Sequence, residues 1–276
     1  MRRVTLRGFR VGFCRHPQRM AIRDGRWRPV EFPALAFLLV HPEEGPIVFD
    51  TGYDPAFFTA TEPFPERLYR WTTPPTLGPR EALADQLAAA GVAPGDVRHL
   101  ILSHFHADHM AGTHRFSNAA IHCARAGYDA MCAGSRLGSV RKGMLRALAP
   151  LDFLTRARWF EDAPRVPLPA DLAPFVEGAD LLGDGSFLAL PLPGHCPGHW
   201  GLALREDAGL HMLVADAAWS SDAIRRDMPP PRLTMALLGD PAATRATLHD
   251  LHRLRVRNPD IRLTPSHCPE CASEWA

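Results

Sequence analysis

Short apolar runs that stop abruptly at polar residues recur along this chain, and they set the order of its predicted elements. Positions 4 to 14 have strand character (Val4, Leu6, Phe9, Val11, Phe13), and Ala34 to Val40 form a second, more apolar strand. Pro46 to Phe49 make a third, which ends at Asp50-Thr51-Gly52, a sequence suited to a tight turn with a polar group at a sheet edge. Residues 53–78 are irregular and rich in proline and aromatics, including Phe57 and Phe58, and could wall a substrate pocket or pack over the core. Pro79 to Ala90 reads as a helix, with proline at its first position, Leu83 and Leu87 on one face, and Gly91 to end it. Strands are expected at 98–102 and 119–123, then helical sequence around 125–133 and over 141–158, broken at Pro150. Residues 164–184 are rich in proline and glycine and read as loop. Strands at 187–192, 201–204 and 211–215, a helix over 241–257 and a strand at 261–264 complete the order.

The residues that end these strands are unusual. Ser103-His104-Phe105-His106-Ala107-Asp108-His109 follows the apolar run His99-Leu100-Ile101-Leu102, and three imidazoles and a carboxylate in so short a span ask for a metal. On a helix His104 and His106 could not both aim inward, and on a continuous strand His109 would face away from the others. A loop leaving a strand end can present all four, so the reading is strand, ligand loop, then helix from about His109. Pro193-Gly194-His195-Cys196-Pro197-Gly198-His199 closes the 187–192 strand, where proline and glycine stiffen the turn and let the backbone pass close to an ion. His195 is the stronger ligand candidate there, with His199 expected to support from behind. The 211–215 strand ends at Asp216, a carboxylate for which a nearby cation is the natural compensation, and the last strand leads to Ser266-His267. Four strand ends therefore deliver His or Asp to one shared rim.

Composition narrows the partners. The 276-residue chain carries a net charge of +1, which speaks against a general nucleic-acid binder. No run reaches the length of a membrane span, and no apolar signal-peptide core follows the basic N-terminal residues, so a cytoplasmic location is expected. Six cysteines without regular pairing fit a reducing compartment. Cys268-Pro269-Glu270-Cys271 mimics half a zinc ribbon, but no second such pair exists, and ordinary buried cysteines are expected.

The pattern His104-x-His106-x-Asp108-His109, then His195, Asp216 and His267, with Asp50-Thr51-Gly52 upstream, resembles the metallo-β-lactamase superfamily over nearly the whole chain. The resemblance implies an α+β fold, a four-layer αβ/βα sandwich spanning 1–276 as one domain; the stretch from His109 to His195 is long for the lactonase branch, so a helical insertion or lid is expected at about 125–185. The resemblance also implies that His104, His106 and His195 hold one divalent metal, that Asp108, His109 and His267 hold a second, and that Asp216 bridges both. His/Asp donors suit zinc, with iron or manganese compatible. Two such ions share a water and supply hydroxide at neutral pH, while Asp108 orients the nucleophile or moves its proton. Asp50 is expected as a hydrogen-bond acceptor behind the ligands. The spacing Asp216-Ala217-Ala218-Trp219 is closest to the lactonase branch, which commonly has tyrosine where this chain has Trp219. The expected activity is opening of a lactone or cleavage of another carboxylic ester, with thioester or phosphodiester hydrolysis and a non-catalytic metal sensor as the alternatives. The expected partner is a small-molecule substrate, with neither nucleic acid nor membrane. The oligomeric state is open, a homodimer included.

Overall fold

The computed structural model describes residues 2–275. Seven strands build the first sheet: β1 Thr5–Pro17, β2 Pro29–His41, β3 Gly45–Phe49, β4 Pro75–Thr76, β5 His99–Ile101, β6 Ala120–Cys123 and β7 Ala157–Trp159, in the order β4-β1-β2-β3-β5-β6-β7. Six build the second: β8 Arg165–Pro167, β9 Glu177–Asp180, β10 Leu188–Pro191, β11 Trp200–Glu206, β12 Gly209–Ala215 and β13 Arg262–Pro265, in the order β13-β12-β11-β10-β9-β8.

The period-2 alternation of strand side chains explains how the layers stack. On β2, Leu35, Phe37 and Leu39 face the second sheet, while Ala34, Ala36 and Leu38 face the opposite way. On β12, Leu213 and Ala215 meet the first sheet, whereas Met212 and Val214 turn outward under the helix Pro241–Arg257. That helix covers its sheet with Leu248, Leu251 and Leu254, spaced three residues apart along one face. On the other side, Leu83, Leu87 and Met110 pack on Leu100 and Leu102 of the first sheet. The result is the four-layer αβ/βα sandwich expected. Among the described residues, no helix is long and apolar enough to cross a membrane.

Several local expectations change. The helix placed at Pro79–Ala90 covers only Leu83–Ala89, because Arg80 takes a left-handed backbone (φ 58°) that a helix cannot include. The irregular 53–78 stretch contains two six-residue helices, Pro55–Ala60 and Arg67–Thr72, and a strand. The 164–184 segment, read as loop, supplies β8 and β9. The 125–185 stretch carries short α-helices before Ala157 and two 3-10 turns, Phe160–Asp162 and Ala170–Leu172, after it, while β7 to β9 join its second half to both sheets.

Candidate active site

Five strand ends from both sheets converge on one edge of the sandwich. From the first sheet, β3 leads into Asp50 and β5 into the 104–109 loop; from the second, β10, β12 and β13 lead into His195, Asp216 and His267. The rim is thus shared between two sheets. Two residues without glycine's freedom are bent into the left-handed region at these ends, Asp50 (φ 56°) and Ala215 (φ 47°). Each bend turns the chain sharply where a strand stops. Gly52 (φ 63°) follows because a Cβ there would meet Val11 Cβ at 2.3 Å. Gly194 has a different task from the one its sequence suggested: its backbone presses on Thr244 of the long outer helix, and a Cβ would lie 2.3 Å from Thr244 N. It lets the His195 loop dock on that helix.

All seven expected ligand residues come together. His106 Nδ1 lies 2.9 Å from His195 Nε2, and the His104 ring stands edge-on to both. Asp108 Oδ2 lies 3.4 Å from His267 Nε2, with the His109 ring edge-on to His267. The Asp216 carboxylate lies between these groups. Its Oδ2 is 3.2 Å from both His195 Nε2 and His267 Nε2, and its Oδ1 is 3.2 Å from His109 Nε2. His104 Nε2, His109 Nε2 and Asp216 Oδ1 are buried with no hydrogen-bond partner. Orphaned buried polar atoms are costly, and three of them facing one small space fit a pair of cations. The donor set also fits: imidazole nitrogens and carboxylates suit zinc, and three groups of mutually close donors overlap here, His104, His106 and His195 with Cys196, then His104, His109 and Asp216, then Asp108, His109 and His267.

Hydrogen bonds behind the rings fix which nitrogen is free. Asp50 Oδ1 accepts the Ser103 backbone N–H at 2.8 Å, while Oδ2 accepts from the Ser103 hydroxyl at 2.7 Å and from His109 Nδ1 at 2.8 Å. Because the Ser103 proton goes to Asp50, its Oγ accepts from His104 Nδ1 at 2.9 Å. Both rings therefore donate from Nδ1 and aim Nε2 toward the centre. His267 Nδ1 donates to Pro33 O in the same way. Thr51 holds the ligand loop's short helix: its N–H and hydroxyl both donate to His109 O, and its Oγ1 accepts from Gly112 N. His199 is a strut, with Nδ1 donating to Leu192 O at 3.0 Å and Nε2 accepting the Asp216 N–H at 3.0 Å.

The charge states follow from burial and from Asp216. Burial, with His109 and His106 nearby, pushes the His104 pKa well below its ordinary value; burial and His195 do the same to His106. Burial also opposes charge on His109, but Asp216 and Asp50 outweigh it and raise that pKa well above the usual range. For Asp216, burial favours the neutral acid, yet His267, His109 and His195 hold its pKa well below the carboxylate range. Asp216 is thus held as an anion.

A cavity of about 230 Å³ opens beside this cluster, walled by Asp108, Asp216 and His267 together with Met20, Phe32, Tyr69, Val140, Arg141, Trp219 and Leu238. Trp219 stands in that wall, but its indole N–H donates to Asp216 Oδ2 at 3.1 Å. Phe57 and Phe58 do not line the cavity: Phe57 is fully buried in the core, with Phe58 packed against it. Tyr69, edge-on to Phe57 at 5.4 Å, is the aromatic from that segment that reaches the cavity; the sequence placed it among the segment's possible pocket aromatics without singling it out. Burial and the nearby Asp108 push its pKa well above the ordinary phenol value, so it stays a hydrogen-bond donor. No spacing signal marks it, since the helix Arg67–Thr72 that presents it is only six residues long.

Two stacked sheets between helices, with a His/Asp cluster along their common edge, define a metallo-hydrolase. The chain belongs to the metallo-β-lactamase superfamily, whose family model matches residues 29–267. It is 28% identical over 268 residues to the N-acyl homoserine lactonase AttM of Agrobacterium fabrum, covering 92% of this chain and 88% of that protein. It is 27% identical over 203 residues to an N-acyl homoserine lactonase of Bacillus cereus, covering 72% and 70%. Among solved structures, an N-acyl homoserine lactone hydrolase with the product N-hexanoyl-L-homoserine at its catalytic metal centre superposes with a TM-score of 0.73 at 19% identity, covering 99% of this chain and 97% of that one.

Proposed function

We propose that this protein opens a lactone, or cleaves another carboxylic ester, with two divalent metal ions, zinc being the best match to its donors. The observation that carries this reading is the Asp216 carboxylate, which lies 3.2 Å from His109, His195 and His267 and so faces both donor groups. His104, His106 and His195 would hold one ion, and Asp108, His109 and His267 the other. Bound there, the pair supplies hydroxide at neutral pH and polarises the scissile carbonyl.

The chain's own residues do the rest. Asp50 and Ser103 keep two ligand rings in the tautomer that frees Nε2. Asp108, on the cavity wall, orients the attacking oxygen and carries its proton to the leaving group. Tyr69 donates a hydrogen bond to the carbonyl or leaving oxygen, a task Trp219 cannot share while its N–H is held by Asp216. The wall's apolar residues Met20, Phe32, Val140 and Leu238 favour an uncharged acyl group over a phosphodiester. The named relatives that are lactonases support the same substrate class.

Ring opening of short- and long-chain acyl lactones, followed by proton release, tests the proposal. Metal-loaded protein is compared with the Asp108→Asn variant and with simple thioester and phosphodiester substrates. Lactone turnover that vanishes in the variant is the expected result. Inert lactones with turnover of either other substrate would overturn the substrate assignment.

A further inference from the structure

The Cys268-Pro269-Glu270-Cys271 pair plays no part in the function proposed above, yet it is built into the site's frame. Cys268 directly follows His267 and precedes the short helix Pro269–Ser273, with Cys271 on that helix's first turn. Residues three apart at a helix start lie on one face, so the two sulfurs are neighbours. Both touch one hydroxyl: Ser221 Oγ lies 3.4 Å from Cys268 Sγ and 3.2 Å from Cys271 Sγ. The Ser221 backbone N–H also donates to Cys268 Sγ at 3.3 Å. Ser221 opens the helix that follows the Asp216 loop. The dithiol thus ties together the two loops that carry His267 and Asp216. It is also reachable. Cys271 and Ser221 line a second cavity, about 270 Å³, whose wall includes Arg225, Arg255 and Arg262 and which lies apart from the catalytic cleft.

We propose that Cys268 and Cys271 form a peroxide-oxidisable dithiol whose closure to a disulfide loosens the metal position held by His267. Cys271 Sγ, on the cavity wall, gives up its proton and attacks one oxygen of hydrogen peroxide. The O–O bond breaks, and the departing hydroxide takes up a proton to become water, leaving a sulfenic acid on Cys271. The Cys268 thiolate attacks that sulfur, the S–O bond breaks, and a second hydroxide leaves and is protonated to water. Two thiols lose two electrons in all, and one peroxide becomes two waters. To reach Cys271, the Cys268 sulfur must give up the Ser221 N–H, which shifts the residue beside His267 and frees the helix behind Asp216. The effect on the metal rests on the two-metal reading above; the disulfide does not.

The test uses zinc-loaded protein titrated with hydrogen peroxide. The tryptic peptide from Leu263 to the C terminus contains both cysteines, and the exposed Cys132 falls in another peptide. The expected result is loss of two hydrogens from that peptide, reversed by dithiothreitol, with roughly tenfold faster transfer of one zinc to a chromogenic chelator. In Cys271→Ser neither change occurs. A peptide that stays reduced at peroxide levels already oxidising the methionines overturns the proposal, as does a disulfide that leaves zinc transfer unchanged. A protein that takes up no zinc at the outset fails the two-metal reading, while the peptide mass still decides the dithiol.

Discussion

Asp50 Oδ2 accepts the Nδ1 proton of His109 across 2.8 Å, from a strand end 59 positions away in sequence, and the same oxygen takes the Ser103 hydroxyl. One carboxylate thereby sets the tautomers of two rings of the candidate site, His109 directly and His104 through Ser103. In Asp50→Ala these rings lose their anchor and the buried Ser103 N–H loses its partner. Zinc affinity is expected to fall about 10- to 100-fold, and the fold to lose about 1–3 kcal/mol. Chelator competition and urea denaturation measure the two. Unchanged zinc affinity would mean the rings are held by packing alone.

Trp219 presents an indole N–H to Asp216 Oδ2 at 3.1 Å, while its ring packs edge-on against His195 and Phe32. Trp219→Phe keeps an aromatic ring there and removes only the donor. A charge-assisted hydrogen bond of this kind contributes about 1.5 kcal/mol, so kcat is expected to fall about tenfold with KM nearly constant. A rise in KM at constant kcat would instead make Trp219 a wall of the acyl pocket.

Tyr69 carries the cavity's phenol and is kept protonated by burial and by Asp108. Tyr69→Phe removes the hydroxyl and leaves the edge-on contact with Phe57 in place. Loss of a donor aimed at a developing oxyanion costs on the order of 10²-fold in kcat. Steady-state kinetics on the best lactone checks this, with an unchanged melting temperature as the control. Undiminished turnover would remove Tyr69 from the reaction.

The clustered His and Asp residues of the candidate site were legible in the sequence for a chemical reason. Metal chemistry needs particular side chains, and a loop leaving a strand end packs four of them into residues 104–109. The long strands were legible because Ala34 to Val40 is apolar on both faces, as a sheet covered on both sides requires. What stayed hidden was short or depended on three dimensions. β8 and β9 are three and four residues long, too short for a period to emerge from a proline-rich background. Phe57 and Tyr69 are equally aromatic in the sequence, and only the packing decides that Tyr69 faces the cavity while Phe57 is sealed behind it. The hydrogen bond from Trp219 to Asp216 and the left-handed bend at Ala215 are likewise not announced by residue type.

Metal removal should expose the charge imbalance of the site. Without cations, Asp216 and Asp50 hold a proton on His109, whose pKa they raise well above its ordinary value. Loading zinc at pH 7 must then expel that proton. Calorimetry in buffers of different ionisation enthalpy should detect net proton release on zinc binding. In His109→Gln the release should shrink by about one proton per chain. Zinc uptake without proton release would mean that His109 is neutral in the metal-free protein.

His122 on β6 faces His99 on β5, with Nε2 2.9 Å from His99 Nδ1. Burial, reinforced by His99 and Arg158, lowers the His122 pKa from 6.5 to about 3. The folded chain therefore keeps His122 neutral over a range in which the unfolded chain binds a proton. The unfolded state holds more protons between about pH 6.5 and 3, so stability falls with acidification across that window and is level above it. One proton corresponds to a slope of about 1.4 kcal/mol per pH unit. His122→Leu should make the acid limb of urea stability shallower by up to that amount, while stability above pH 7 changes only by the altered packing. Urea midpoints measured from pH 4 to 8 on both proteins decide it. Parallel curves would mean that His122 takes up its proton in the folded state as readily as in the unfolded chain.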